Sequence, residues 1–137
     1  MTKIESSVRQ VNAPQQNVYN TLSNLANLEK LRSRIPADKV KDLVIDNDSI
    51  AFHVSPVGNI KFKIVDREEP KTIKFATEQS PVAMNFWVQL LPLDEASCKM
   101  KLTVQADVPF FLKGVVQKPL EQGIEKIADV LQIIHYE

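Results

Sequence analysis

The chain has 137 residues, 44% apolar and 25% charged, which is the length and balance of one globular domain with a core, not of a disordered or fibrous chain. Lys+Arg and Asp+Glu stand at 17 each, so no net field draws it to nucleic acid or to an anionic membrane. The single cysteine, Cys98, excludes an intrachain disulfide and a multi-cysteine metal site, and three glycines with no GxGxxG or Walker pattern disfavour a phosphate-cradling loop.

The opening MTKIESS has no apolar run of the secretory kind, and no stretch of about 18 apolar residues follows, so neither a signal peptide nor a membrane-spanning helix is expected. A reducing cytoplasm is the expected location. Ile4 to Val11 reads as a strand, with Ile4, Ser6 and Val8 on one face and Lys3, Glu5, Ser7 and Arg9 on the other. Asn12-Ala13-Pro14 ends it and opens a helix carrying Val18, Tyr19 and Leu22. A second short helix, 24–31, is predicted after a kink at Ser23-Asn24, then a loop around Pro36.

Strands are predicted next at 40–45, 50–55, 60–67, 72–79, 82–91 and 97–108. Their connections (Asn47-Asp48, 56–59, 68–71, Ser80-Pro81 and 93–96) are too short for parallel crossovers, so neighbours are antiparallel. Ile60, Phe62 and Ile64 oppose Lys61 and Lys63; Ile73 and Phe75 oppose Lys74; Met84, Phe86, Val88 and Leu90 oppose Asn85 and Gln89; Cys98, Met100, Leu102 and Val104 oppose Lys99, Lys101, Thr103 and Gln105. One face is apolar and the other wet, with Trp87 on the wet side.

From Phe110 the period turns helical. Leu112, Val116, Leu120, Ile124, Ile127, Leu131 and Ile134 form one stripe, interrupted only by Pro119, which should kink the helix or separate a first turn. Gly123 sits near the stripe, where it permits close approach or leaves space. The expected architecture is α+β: a seven-stranded curved antiparallel sheet wrapped around a long C-terminal helix, with two short helices after the first strand. A strongly curved sheet cannot lie flush along one straight helix. The gap is filled by large side chains or left as a pocket of a few hundred Å³, and the methionines are flexible enough to serve either end.

The order β-α-α-β6-α, the opening VNAPQQNVYNTLSNL and the closing KPLEQGIEKIA resemble the START-like, helix-grip (SRPBCC) superfamily over nearly the whole chain. That group includes polyketide cyclases, the birch pollen allergen type, plant hormone receptors and lipid-transfer domains. The chain is most similar to small bacterial stand-alone members of the polyketide-cyclase-like or lipid-binding kind. The resemblance implies a single domain over 1–137. It also implies a small apolar ligand, lipid or polyketide-like, held between sheet and helix by Phe62, Ile64, Phe75, Thr77, Met84, Phe86, Val88, Met100, Leu102, Val116, Leu120 and Ile124. Cyclase members place acid and base groups in that space, whereas these positions are nearly all apolar.

The residues that carry chemistry elsewhere have plainer roles here. His53 points outward if Phe52 and Val54 point in, and two histidines without HxH or HExxH spacing make no metal site. Ser6 and Thr77 are the polar groups on the apolar face, where each either meets a ligand head group or bonds nearby backbone. No serine is paired with a base, and Cys98 reads as a small buried hydrophobe. Lys30, Arg32 and Arg34 precede Pro36, where the mouth of the site is expected, and read as a solvated loop. The expectation is therefore a binding or carrier protein with no catalytic residue, metal or cofactor. It has no nucleic-acid partner and no stable membrane insertion. The alternatives are a cyclase- or hydratase-type enzyme in the same cavity and an interaction module related to chaperone activators.

Overall fold

The structure, a computed structural model, describes residues 2–30, 41–46, 48–54, 58–79, 83–108, 113–134 and 136. Its elements are β1 (Thr2–Glu5), β2 (Arg9–Val11), α1 (Gln15–Leu22), α2 (Leu25–Lys30), β3 (Lys41–Ile45), β4 (Ser49–Val54), β5 (Gly58–Glu68), β6 (Thr72–Gln79), β7 (Met84–Pro92), β8 (Cys98–Ala106) and α3 (Lys113–Ile133). All strands join one antiparallel sheet in the order β1-β8-β7-β6-β5-β4-β3, with β2 continuing the β1 edge along β8.

The first strand departs from its predicted course. It breaks between β1 and β2, where three residues (6–8) run beside 101 and 102. Ser6 holds the break: its N–H donates to the Leu102 carbonyl at 2.8 Å, and its Oγ accepts from the Leu102 N–H at 2.9 Å. The extra residue shifts the alternation, so Val8, expected inside, is 61% exposed, and Arg9, expected outside, turns toward α3. This is the effect of a bulge: one added residue bends the strand and re-aims the side chains after it.

Three more irregularities interrupt the sheet: one shifts the β3–β4 register between Lys41 and Val44, and two lie between β5 and β6. Ile64 pairs with Phe75 but Asp66 with Lys74, which leaves Val65 as an extra residue on β5; Lys61 pairs with Gln79 but Phe62 with Thr77, which leaves Glu78 extra on β6. Elsewhere the register carries the predicted faces intact. Ile4, Val104, Phe86, Phe75 and Ile64 form one buried row across β1, β8, β7, β6 and β5. Leu102, Val88 and Ile73 form the next. On the outer face, Trp87 is half-buried with the Lys74 ammonium 5.5 Å from its ring centre, and Thr103, expected to be wet, is buried and donates to Gln89 at 2.9 Å.

Helix α3 is continuous through Pro119. It packs on β1, β2 and β8, and a polar clamp fixes that seat. Arg9 donates from Nη1 to Asp129 at 2.5 Å and to Gln132 at 3.0 Å, and from Nη2 to Glu125 at 2.7 Å. The Ser7 N–H donates to Glu125 at 2.6 Å, and Gln132 donates to the Gln10 carbonyl at 3.0 Å. Helix α1 starts after Pro14 and buries Val18, Tyr19, Thr21 and Leu22. Gln15 ties its start to the Leu90 carbonyl at 3.1 Å, and Arg67 ties its end through the Ser23 carbonyl at 2.8 Å.

Candidate ligand site

The two halves of α3 differ. Its second half buries Ile124, Ala128, Val130 and Leu131, whereas in its first half the described side chains are exposed or only partly buried, Val115 at 56% exposure among them. A Cβ built on Gly123, at the boundary, meets nothing within 4 Å, so no close approach requires this glycine. The clamp explains the asymmetry: its bonds fall at Glu125, Asp129 and Gln132, and none of them lies in the first half.

The inner sheet face away from that clamp carries three phenylalanines on adjacent strands. Phe86 on β7 lies 5.7 Å from Phe62 and 5.6 Å from Phe75, centre to centre, the second pair nearly edge-on. Such pairs contribute about 0.5–1.5 kcal/mol beyond area burial and hold ring orientations. Met84, Ile64, Val88, Met100 and Leu102 continue the apolar surface, each buried. Leu120 is partly buried against the core and Ile124 is buried. Residue 116 belongs to α3, but its side chain lies outside the described ones.

Thr77 is the polar member of the predicted set. Its Oγ1 accepts the Met84 N–H at 3.1 Å, a bond that replaces a ladder contact where β7 begins. Ser6 is bound to backbone on both sides, since its Oγ also donates to the Ser7 carbonyl at 2.9 Å. Tyr136 donates to the Leu131 carbonyl at 2.6 Å, and burial pushes its phenol far above the usual range. Cys98 is fully buried, and desolvation raises its thiol. His53 is exposed, its Nδ1 2.9 Å from Asn59. The predicted mouth residues Arg32 and Arg34, and the side chain of Lys30, lie outside the described residues.

One polar residue of this face was missed by sequence reasoning. Thr2 pairs with Ala106 and shares the inner face with Ile4; it is 8% exposed, and its Oγ1 has no hydrogen-bond partner among the described residues. The period-two pattern would have found it had the first strand been started two residues earlier.

A scan against protein-family models and a search of curated proteins each find no match. Solved structures do match along almost the whole chain. A protein of Thermus thermophilus superposes with a TM-score of 0.68 at 19% identity, over 96% of this chain and 94% of that one. Norcoclaurine synthase of Thalictrum flavum, solved in complex with dopamine and hydroxybenzaldehyde, gives 0.71 at 17% identity, over 96% and 84%. A START superfamily protein of Mycobacterium smegmatis gives 0.68 at 12% identity, over 95% and 94%. The chain therefore has the START-like, helix-grip fold, as the order of its elements predicts. Among the described residues no helix is long and apolar enough to cross a membrane.

Proposed function

We propose that this chain, acting as one START-like domain over residues 1–137, binds a small apolar ligand, lipid or polyketide-like, between the inner sheet face and the first half of α3. The ligand lies on Phe62, Phe75 and Phe86, flanked by Ile64, Thr77, Met84, Val88, Met100 and Leu102 from the sheet and by Val116, Leu120 and Ile124 from the helix. The observation that carries this reading is the mismatch of supports. The helix is clamped to the β1–β2–β8 side by Arg9, whereas the aromatic cluster stands on β5, β6 and β7.

Burying eight methylenes is worth about 6 kcal/mol at about 0.8 each; micromolar binding takes about 8 kcal/mol net of association costs, so a longer apolar body, ring contacts with the phenylalanine cluster or a hydrogen bond must supply the rest. This reading favours carriage over turnover: Ser6, Thr77 and Tyr136 already bond to backbone, and the inner hydroxyl without a described partner, Thr2, is neither an acid nor a base near neutral pH. The single buried thiol suits a reducing cytoplasm.

Native mass spectrometry of protein purified from its own host tests the reading directly. A co-purifying small molecule, lost on Phe86→Ala, is the expected result. A solved structure in which side chains fill the space beneath the first half of α3, with no binding of a neutral, apolar solvatochromic probe in solution, would remove it.

A further inference from the structure

The inner face has a second, polar end, and Thr2 defines it. Thr2 pairs with Ala106 on β8, and Ala106 pairs with Met84 on β7. The Met84 N–H bonds Thr77 on β6, and Thr77 pairs with Phe62 on β5. These residues form one row, a step along the strands from the row that holds Phe75 and Phe86. With strands about 4.8 Å apart, the row from Thr2 to Thr77 is about 14 Å wide. The tethers Ser7–Glu125, Arg9–Asp129 and Gln10–Gln132 show that β1–β2 runs alongside α3 in the same sense. Carried back along β1, that alignment sets Thr2 opposite the unclamped first half of the helix.

A buried hydroxyl without a partner is an exception that needs a cause, because leaving it unmade costs about as much as a full desolvation. Serine and threonine in strands ordinarily spend the hydroxyl on backbone, as Ser6 and Thr77 do here. Thr2 does not. Its row neighbours Ala106, Met84 and Phe62 are apolar, so among the described residues of that row a charged group would find no charged partner.

Resting on the binding role proposed above, we infer that Thr2 Oγ1 is the polar subsite of the ligand site, and that the ligand is amphipathic: an apolar body on the Phe62–Phe75–Phe86 cluster and one neutral hydroxyl or carbonyl hydrogen-bonded to Thr2. The selectivity is for neutral polar ends over bare hydrocarbons. Carboxylates are disfavoured, since their charge would be buried without a partner.

The test uses a matched probe pair, 2-naphthol and naphthalene, titrated by their own fluorescence into the full chain and into Thr2→Val and Thr2→Ser. Valine keeps the shape and removes the hydroxyl; serine keeps the hydroxyl. The wild type should favour 2-naphthol. Thr2→Val should weaken 2-naphthol about fivefold, the size of one net hydrogen bond, and leave naphthalene unchanged; Thr2→Ser should retain the preference. Because valine removes an unmade bond, unliganded Thr2→Val should melt at or above the wild-type temperature, so folding does not confound the reading. If both probes bind and their ratio is the same in Thr2→Val, the binding role stands and the subsite is wrong. A lowered melting temperature of the unliganded valine variant also overturns it, by showing that Thr2 already has a partner such as an internal water. If neither probe binds any of the three proteins, the binding role falls and the subsite with it.

Discussion

The two halves of α3 meet the same sheet under opposite conditions. The second half lies on the β1–β2–β8 side, held by a guanidinium that reaches two carboxylates and an amide and by Ile124, Ala128, Val130 and Leu131 beneath it. The first half has no such clamp, and its described side chains are exposed or only partly buried. Stability in this fold is thus concentrated where the helix begins to pack, and the binding surface is the part that packing leaves over. A helix cannot follow a sheet bent by added residues at Val65 and Glu78, so tight seating at one end implies looser seating at the other.

The sharpest way to break this comparison is to delete side chains of similar burial on each side. Leu131→Ala lies in the clamped half of α3 and is as buried as Phe86. It should cost near the top of the usual range, about 4–5 kcal/mol. Phe86→Ala removes a larger side chain and would cost about 3–5 kcal/mol in solid core. The prediction is a smaller loss than for Leu131→Ala together with altered apolar-probe binding. Urea unfolding with parallel probe titrations measures both. A larger loss at Phe86 with unchanged probe binding would show that the aromatic cluster is ordinary core.

The clamp itself should be worth less than either. Arg9→Met keeps the aliphatic stem and removes the bonds to Glu125, Asp129 and Gln132, so it should cost about 2 kcal/mol by equilibrium unfolding. It should also raise amide exchange in the second half of α3 more than in the sheet.

Acid should act through the same group. Arg9 first, and then the Ser7 N–H, hold the Glu125 carboxyl below its ordinary value of 4.5. A carboxylate depressed in the folded state adds stability that is present above its unfolded pKa and is lost as pH falls through the folded one. The wild type should therefore lose stability below about pH 4.5 more steeply than Glu125→Gln, whose amide does not titrate; equal slopes would exclude Glu125 as the sensor.

The smallest expected effect has the opposite sign. Gly123→Ala should stabilise by about 0.5–1 kcal/mol, because a helical glycine is replaced and its Cβ meets nothing within 4 Å. A destabilisation would mean that the space there closes in solution.

Most of the architecture was legible because its signals are local. The alternation of Phe62 with Lys61 and Lys63, and of Val88 with Trp87 and Gln89, determines which face is buried whatever the neighbours are. The stripe from Leu120 to Ile134 likewise determines a helix and its face. What the sequence could not determine depends on which strand lies opposite which. The break at Ser6 exists because three residues must run beside two of β8, and that count fixes Val8 outside and Arg9 inside. Thr103 is buried only because Trp87 and Glu5 are its cross-strand partners. The site divides the same way. That Phe62, Phe75 and Phe86 face inward follows from period two alone, but that they stand together, away from the clamped end of α3, is decided by register and by where Arg9 lands. Thr2, a hydroxyl with no local signal, gains its meaning only from the row of strands that the tertiary structure sets beside it.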